Sequence, residues 1–303
     1  MPPFSKSIEQ NTRHYSVFRG AFVILSLMTL VARNTLLRIG LLLVFVLLLG
    51  FTAAALFVLA GDIALPLGAL EAGQNWLGLS WVSGEYQIFW LLGGLFVQGV
   101  ASFVGLWTML RMFRKTTAPE MFFFSVFVFT LAIDLVKGGQ IIILILQYPP
   151  VYGAMLTRVL HFGHFLGIFC LLSSSLYLSG LEYQKTGIVL GLGALIALTL
   201  AYSVPVDFSR LFLNLMNPAG DQTTIQVVAL LLNLLVVLNV LYAIAAVQEP
   251  AYVVLLSALV LVIAGRELTL YVAAPPVYAP ALAALIVGIA VFTWRVRRLY
   301  LWR

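Results

Sequence analysis

The sequence predicts an all-α, polytopic integral membrane bundle of eight transmembrane helices, one plus seven, with N- and C-termini cytoplasmic. Composition is the first ground. Of 303 residues, 62% are hydrophobic and 9% charged, and mean hydropathy is +1.07, whereas soluble domains carry about a quarter charged residues. The second ground is the length of the apolar runs. Stretches of about 20 residues, enough to cross a bilayer, fall near 36–60, 86–112, 119–147, 153–179, 186–205, 225–247, 251–273 and 281–298. The third is the placement of positive charge. Of the 17 lysines and arginines, Lys137, Arg158 and Arg266 lie within spans and Arg210 falls on the outer side. With a cytoplasmic N-terminus all the others fall inside, the bias that orients helices in the plasma membrane.

Turn chemistry separates the spans. The runs are continuous and do not alternate, which excludes a closed β-barrel. Pro149 and Pro150 part the third span from the fourth, Pro250 ends the sixth, and Pro275, Pro276 and Pro280 break the seventh from the eighth. In "TTAPE", Thr116 or Thr117 is expected to cap the third helix, with Pro119 in its first turn. "GAFVILSLMTLVA" (Gly20 to Ala32) reaches roughly 20 Å as a helix, short of a core of about 30 Å. It reads as an interfacial or packed helix, flanked by Arg19 and Arg33. Residues 1–35 are therefore taken as a cytoplasmic, interfacial segment and 36–303 as the bundle. The outer segments near 61–85 and 206–224 are too short for independent domains. "AYSVPVDFSR" ends the fifth span at Pro205, with Asp207 expected to start a short surface helix toward Leu215. Trp76, Trp81 and Trp90 at one interface, and Trp294 and Trp302 at the other, fit an aromatic belt.

Several classes are excluded. One cysteine, Cys170, allows no intramolecular disulfide and no cysteine-rich metal site. The pI near 9.5 follows from inside-positive anchoring and needs no nucleic acid partner, and no phosphate-binding glycine loop is present. The last span runs into "WRVRRLYLWR", so any signalling output is expected to pass through a separate partner. No cofactor is expected.

The spans nevertheless hold ionisable side chains, in "LAIDLVKGGQIII", "RVLHFGHF" and "LVIAGRELTLY". Each costs roughly 2.5–3.5 kcal/mol on insertion scales and is expected to face the bundle interior. Asp134, Lys137 and Gln140 recur every third residue on the third span, as do Arg158, His161 and His164 on the fourth. Each set forms an inclined ridge. Counted outward from Pro150, Gln140 meets Arg158, Lys137 meets His161 and Asp134 meets His164, each about 3 Å off level. Arg266 and Glu267 on the seventh span fall near the same depth. The expected pairings are Glu267 or Asp134 with Arg158, and Asp134 with a His164 ring nitrogen. Arg266 and Glu267 lie about 100° apart, so one of them is expected to turn away, Arg266 toward headgroups. With neutral histidines the eight residues sum to +1, which suits a small, anionic ligand in the outer half of the bundle. Gln98, Asn233 and Asn239 read as polar glue between helices. Gly93, Gly94, Gly99, Gly187, Gly191 and Gly193 read as close-packing surfaces, and Ser173 to Ser175 as back-bonded to their own helix.

Spans two to eight, with "TRVLHFGHF" in a middle helix, resemble the layout of bacterial seven-helix membrane sensor modules. The resemblance implies a receptor-like protein that binds a small molecule and passes the signal to another protein; it assigns no residues. A retinal protein is disfavoured, since the last span has no lysine. Two other functions follow from the cluster: an intramembrane metal-dependent hydrolase using His161, His164 and Asp134, and a proton-coupled transporter using Asp134, Lys137 and His164.

Overall fold

Backbone groups inside a bilayer must find partners within their own segment, so long apolar runs become helices. The computed structural model of the chain describes residues 30–60, 70–71, 87–114, 118–180 and 185–301. Among these, eight helical segments are long and apolar enough to cross a membrane. They are α1 (Leu30–Ala60), α2 (Gln87–Met112), a third span made of α3 (Pro119–Ile133), one 3-10 turn (Asp134–Val136) and α4 (Lys137–Ile145), then α5 (Pro150–Leu178), α6 (Thr186–Ser203), α7 (Gln222–Val247), α8 (Pro250–Tyr271) and α9 (Pro275–Leu301). The chain is an all-α, multi-pass membrane bundle. Many large apolar side chains face outward, Leu42 and Leu195 each at 62% exposure, as a lipid solvent allows.

The boundaries carry several corrections. α1 begins at Leu30, earlier than the expected span, so 30–35 belong to it; the interfacial helix at 20–32 otherwise lies outside the described residues. The third helix is capped at Ala118 without a side-chain bond, and Pro119 is its first residue; Thr116 and Thr117 lie outside the described residues. Pro275 and Pro276 stand at the break after α8 as expected and open α9, whereas Pro280 sits inside the helix. A proline this near the N-terminus removes only one backbone hydrogen bond. Trp76, Trp81 and Trp302 lie outside the described residues, while Trp90 and Trp294 are exposed.

The helix expected from Asp207 toward Leu215 does not form. Asp207 instead accepts from the backbone N–H of Ser209 at 2.9 Å, a turn that competes with helix. Beyond it β2 (Leu211–Phe212) pairs in parallel with β1 (Leu70–Glu71), and Val206 bridges Ala219. This segment dips into the bundle: Asn214, Leu215, Met216 and Asn217 are all buried. Met216 packs on Leu160, Leu270 and Tyr271.

Packing within the bundle uses small residues. A Cβ at Gly265 would come within 2.7 Å of the Ala281 carbonyl oxygen, and one at Gly288 within 2.8 Å of the Ala258 carbonyl oxygen. Glycine at these two positions lets α8 and α9 touch backbone to backbone. On α5, a Cβ at Gly163 would lie 3.0 Å from Ile133, and one at Gly167 2.8 Å from Thr130 Oγ1. The fourth span thus lies tight against the third. Arg33 and Asn34 of α1 donate at 3.0 Å to the carbonyls of Phe113 and Arg114, closing the end of α2.

Candidate functional site: a polar core centred on the seventh span

The third span carries its charges through the 3-10 turn at Asp134–Val136. At three residues per turn, side chains three apart eclipse, where in an α-helix they would be offset by about 60°. Asp134 and Lys137 therefore share one direction, and it points to α8. Arg266 donates two bonds to the Asp134 carboxylate, with Nη2 to Oδ1 at 3.1 Å and Nη1 to Oδ2. Lys137 Nζ donates to the Leu270 carbonyl at 2.9 Å. Arg266 and Leu270 are one turn apart on α8, so the third and seventh spans run parallel and are tied at two levels. Gln98 of α2 completes the pair, its Nε2 donating to Asp134 Oδ2 at 2.7 Å and to the Leu131 carbonyl at 3.1 Å.

The next residue on α8 serves other helices. Glu267 Oε1 accepts from Asn233 Nδ2 of α7 at 2.8 Å and lies 3.6 Å from His164 Nε2 of α5. The His164 ring meets Tyr271 edge-on, 5.9 Å between centroids. The expectation that only one of Arg266 and Glu267 faces inward is corrected. Both are buried, at 3% and 6% exposure. Their 100° separation lets one address the third span and the other the fourth and sixth.

Three further expectations change. Asp134 does not meet His164, because Arg266 and Gln98 occupy its oxygens and His164 turns to Glu267. Arg158 pairs with neither Glu267 nor Asp134. It sits half-buried with its guanidinium 4.9 Å from the ring centroid of Tyr202 on α6, a cation–π contact at the edge of the bundle. Its place opposite Gln140 is taken by the neighbour Thr157. Gln140 Nε2 reaches the Gly153 carbonyl at 2.8 Å, Thr157 Oγ1 at 3.2 Å and Asn217 Oδ1 at 3.3 Å. The levels of the two ridges are as expected; the rotation of the fourth helix is not.

With Arg158 outside, Lys137 and Arg266 balance Asp134 and Glu267, so the inner cluster sums to zero instead of +1. The metal alternative of His161, His164 and Asp134 also fails, since these three do not converge. Among the described residues no three His, Cys, Asp or Glu side chains gather at metal-holding distance.

Sequence reasoning missed Thr157, Asn214, Asn217, Tyr271 and Tyr278. Asn214 donates to the Tyr271 carbonyl at 3.2 Å. Asn217 accepts from Thr157 Oγ1 at 3.0 Å and donates to the Arg210 carbonyl at 2.7 Å. Asparagines in a segment expected on the surface do not by themselves signal depth; the apolar "LFLNLM" around Asn214 does. Gln98, Asn233 and Asn239 do bond across helices, Asn239 to Ser175 Oγ at 3.3 Å. Ser173 and Ser175 bond back to their own helix, whereas Ser174 crosses to the Glu120 carbonyl at 3.0 Å.

Around this core several buried polar atoms have no hydrogen-bond partner among the described residues. They are both ring nitrogens of His161 and of His164, the hydroxyls of Tyr271 and Tyr278, Gln98 Oε1, Asn233 Oδ1 and Arg266 Nε. The His161 ring stacks on Phe165 at 6.5 Å, within electrostatic reach of Lys137. Two cavities with described linings lie elsewhere, between α2 and α9 and beneath Arg33. No protein-family model, curated protein or solved structure matches the chain.

Proposed function

We propose that the protein is a receptor-like membrane sensor that binds a small carboxylate-bearing molecule in this polar core and signals through a separate protein. The observation that carries the reading is the group of buried polar atoms on His161, His164, Tyr271 and Tyr278 that have no partner among the described residues. An unsatisfied buried group costs about 1–3 kcal/mol, and native interiors hold few of them. A polar ligand that supplies donors and acceptors offsets that cost.

Charge narrows the class of ligand. Asp134 and Arg266 neutralise each other. Lys137 is fully buried and donates one bond to a backbone carbonyl, leaving N–H groups suited to a carboxylate. Glu267 sits one turn of α8 from Leu270, the residue Lys137 reaches, and suits a ligand N–H. A zwitterion such as an α-amino acid fits this pairing better than a simple anion. The inside-positive distribution supports a cytoplasmic-membrane location with both termini inside. Entry would then come from the outer side, past the buried Asn214–Asn217 segment.

The test is a thermal-shift screen of the purified protein with α-amino acids, simple carboxylates and simple amines. Stabilisation by amino acids that is lost in Lys137→Met and in His164→Leu supports the reading. Stabilisation by none of them, or equally in the variants, removes it. A second reading, proton-coupled transport, is favoured by the 3.6 Å approach of His164 to Glu267, since such pairs can relay protons. Uptake into proteoliposomes that depends on a pH gradient distinguishes it.

A further inference from the structure

The groove between α2 and α9 opens on the lipid-facing surface, and none of the polar-core residues lines it. It encloses about 260 Å³ and is lined by Ala101, Val104 and Thr108 from α2 and by Ile286, Ala290 and Trp294 from α9, among others. From Ala101 to Met112, its extent along α2, is roughly 16 Å of helix. That is about half of the roughly 30 Å hydrocarbon core, the depth of one leaflet.

Two arginines stand beside the lining residues Met112 and Trp294, each held by a similar contact. Arg111 lies in the last turn of α2 and Arg298 in the last turn of α9. The Arg111 guanidinium sits 4.5 Å from the Trp107 ring centroid, and that of Arg298 sits 3.9 Å from the Trp294 ring centroid. Stacking on an indole holds a guanidinium in place while its N–H edge stays free for an oxyanion. Both tryptophans are exposed and belong to the interfacial zone where headgroups lie. An apolar trough about one leaflet long thus has two cations held by stacking next to its Met112 and Trp294 end.

We propose that this groove is a binding site for one anionic phospholipid, with an acyl chain along Ala101 to Met112 and the phosphate between Arg111 and Arg298. The site fits a lipid better than a helix from a second copy of the chain, because its cationic end matches a phosphate and repels the same end of an identical chain.

The experiment uses the full-length protein in detergent, titrated with phosphatidylglycerol or phosphatidylcholine and read by native mass spectrometry. Alongside the wild type stand Ala290→Phe, which fills the groove from its exposed side, and the double variant Arg111→Gln/Arg298→Gln. One phosphatidylglycerol should bind roughly tenfold more tightly than phosphatidylcholine, as two interfacial cations allow. The filled groove should lose that bound lipid, and the double glutamine variant should bind both lipids alike. Thermal unfolding of each variant close to wild type confirms that the fold is kept; should Ala290→Phe unfold, Ala290→Leu replaces it. Equal affinity of the wild type for the two lipids overturns the proposal. So does undiminished lipid binding by the filled variant, or a wild-type dimer that Ala290→Phe abolishes.

Discussion

Arg266 and Asp134, 132 positions apart in the chain, form a two-bond ion pair in the middle of the bundle, with both side chains almost fully buried. The pair joins the seventh span to the third, which pack mainly against other helices: α8 against α9 and α7, and α3 against α5. It is therefore a long-armed strut across the centre of the molecule, and Gln98 ties it to α2 as well.

Removing one end of this strut leaves an unpaired charge in a low-dielectric interior. Arg266→Leu and Asp134→Leu should each destabilise the bundle by about 3–5 kcal/mol. The double variant should recover much of that loss, because two apolar groups leave no orphaned charge. Unfolding in mixed micelles measures all three. A double variant as unstable as the sum of the singles would show that the pair does not interact.

Asn217 holds the segment between α6 and α7 in place by bonds to Gln140, Thr157 and Arg210. Asn217→Ala should cost about 1–2 kcal/mol and loosen the segment selectively. Hydrogen exchange should rise at Leu215 and Met216, whose amides bond within the segment, and stay constant along α5 and α7. A uniform rise over the whole bundle contradicts the anchoring role.

Depth was legible in the sequence and azimuth was not. Counting from the Pro149–Pro150 turn places Gln140 near the level of Thr157 and Arg158, and the structure agrees. Which of those two neighbours points inward depends on a rotation of 100°, and continuous apolar runs leave that rotation unmarked. The 3-10 turn at Asp134 turned the third span's charges toward α8 for the same reason: no glycine or proline precedes it to signal the tighter winding. Periodicity identifies a buried face only where the opposite face is polar, and in lipid both faces are apolar. What did carry azimuth was small-residue spacing. Gly163 and Gly167, a G-x-x-x-G pair inside "HFGHFLG", mark the side of α5 that meets α3, whereas the equally spaced Gly187 and Gly191 on α6 leave Gly191 with nothing within 4 Å.

The two glycine pairs make opposite forecasts. Gly167→Leu drives a side chain into Thr130 and Phe127 on the third span, so it should lower stability by about 1–3 kcal/mol through overpacking. Gly191→Leu meets nothing within 4 Å and should be close to neutral. Thermal unfolding of both variants decides the matter. If Gly191→Leu were the more damaging, the tight contact would lie between copies of the chain instead of between α3 and α5.

Asp221 caps α7 from the membrane surface. It accepts from the Thr224 amide at 3.3 Å and from the Thr224 hydroxyl. These bonds hold its carboxyl below the usual value of 3.8, because they favour the charged form. A group whose folded value is depressed contributes stability above its unfolded value and loses it as pH falls through the folded one. The gap in stability between wild type and Asp221→Ala should therefore be constant from neutral pH to about pH 5, one unit above the unfolded value, and narrow below it. Asp221→Asn keeps a capping oxygen that does not titrate, so its stability relative to Asp221→Ala should not follow pH. Thermal unfolding of the three proteins between neutral and acid pH reads this directly. A gap between wild type and Asp221→Ala that does not narrow on full protonation would mean that the carboxylate charge plays no part in the cap.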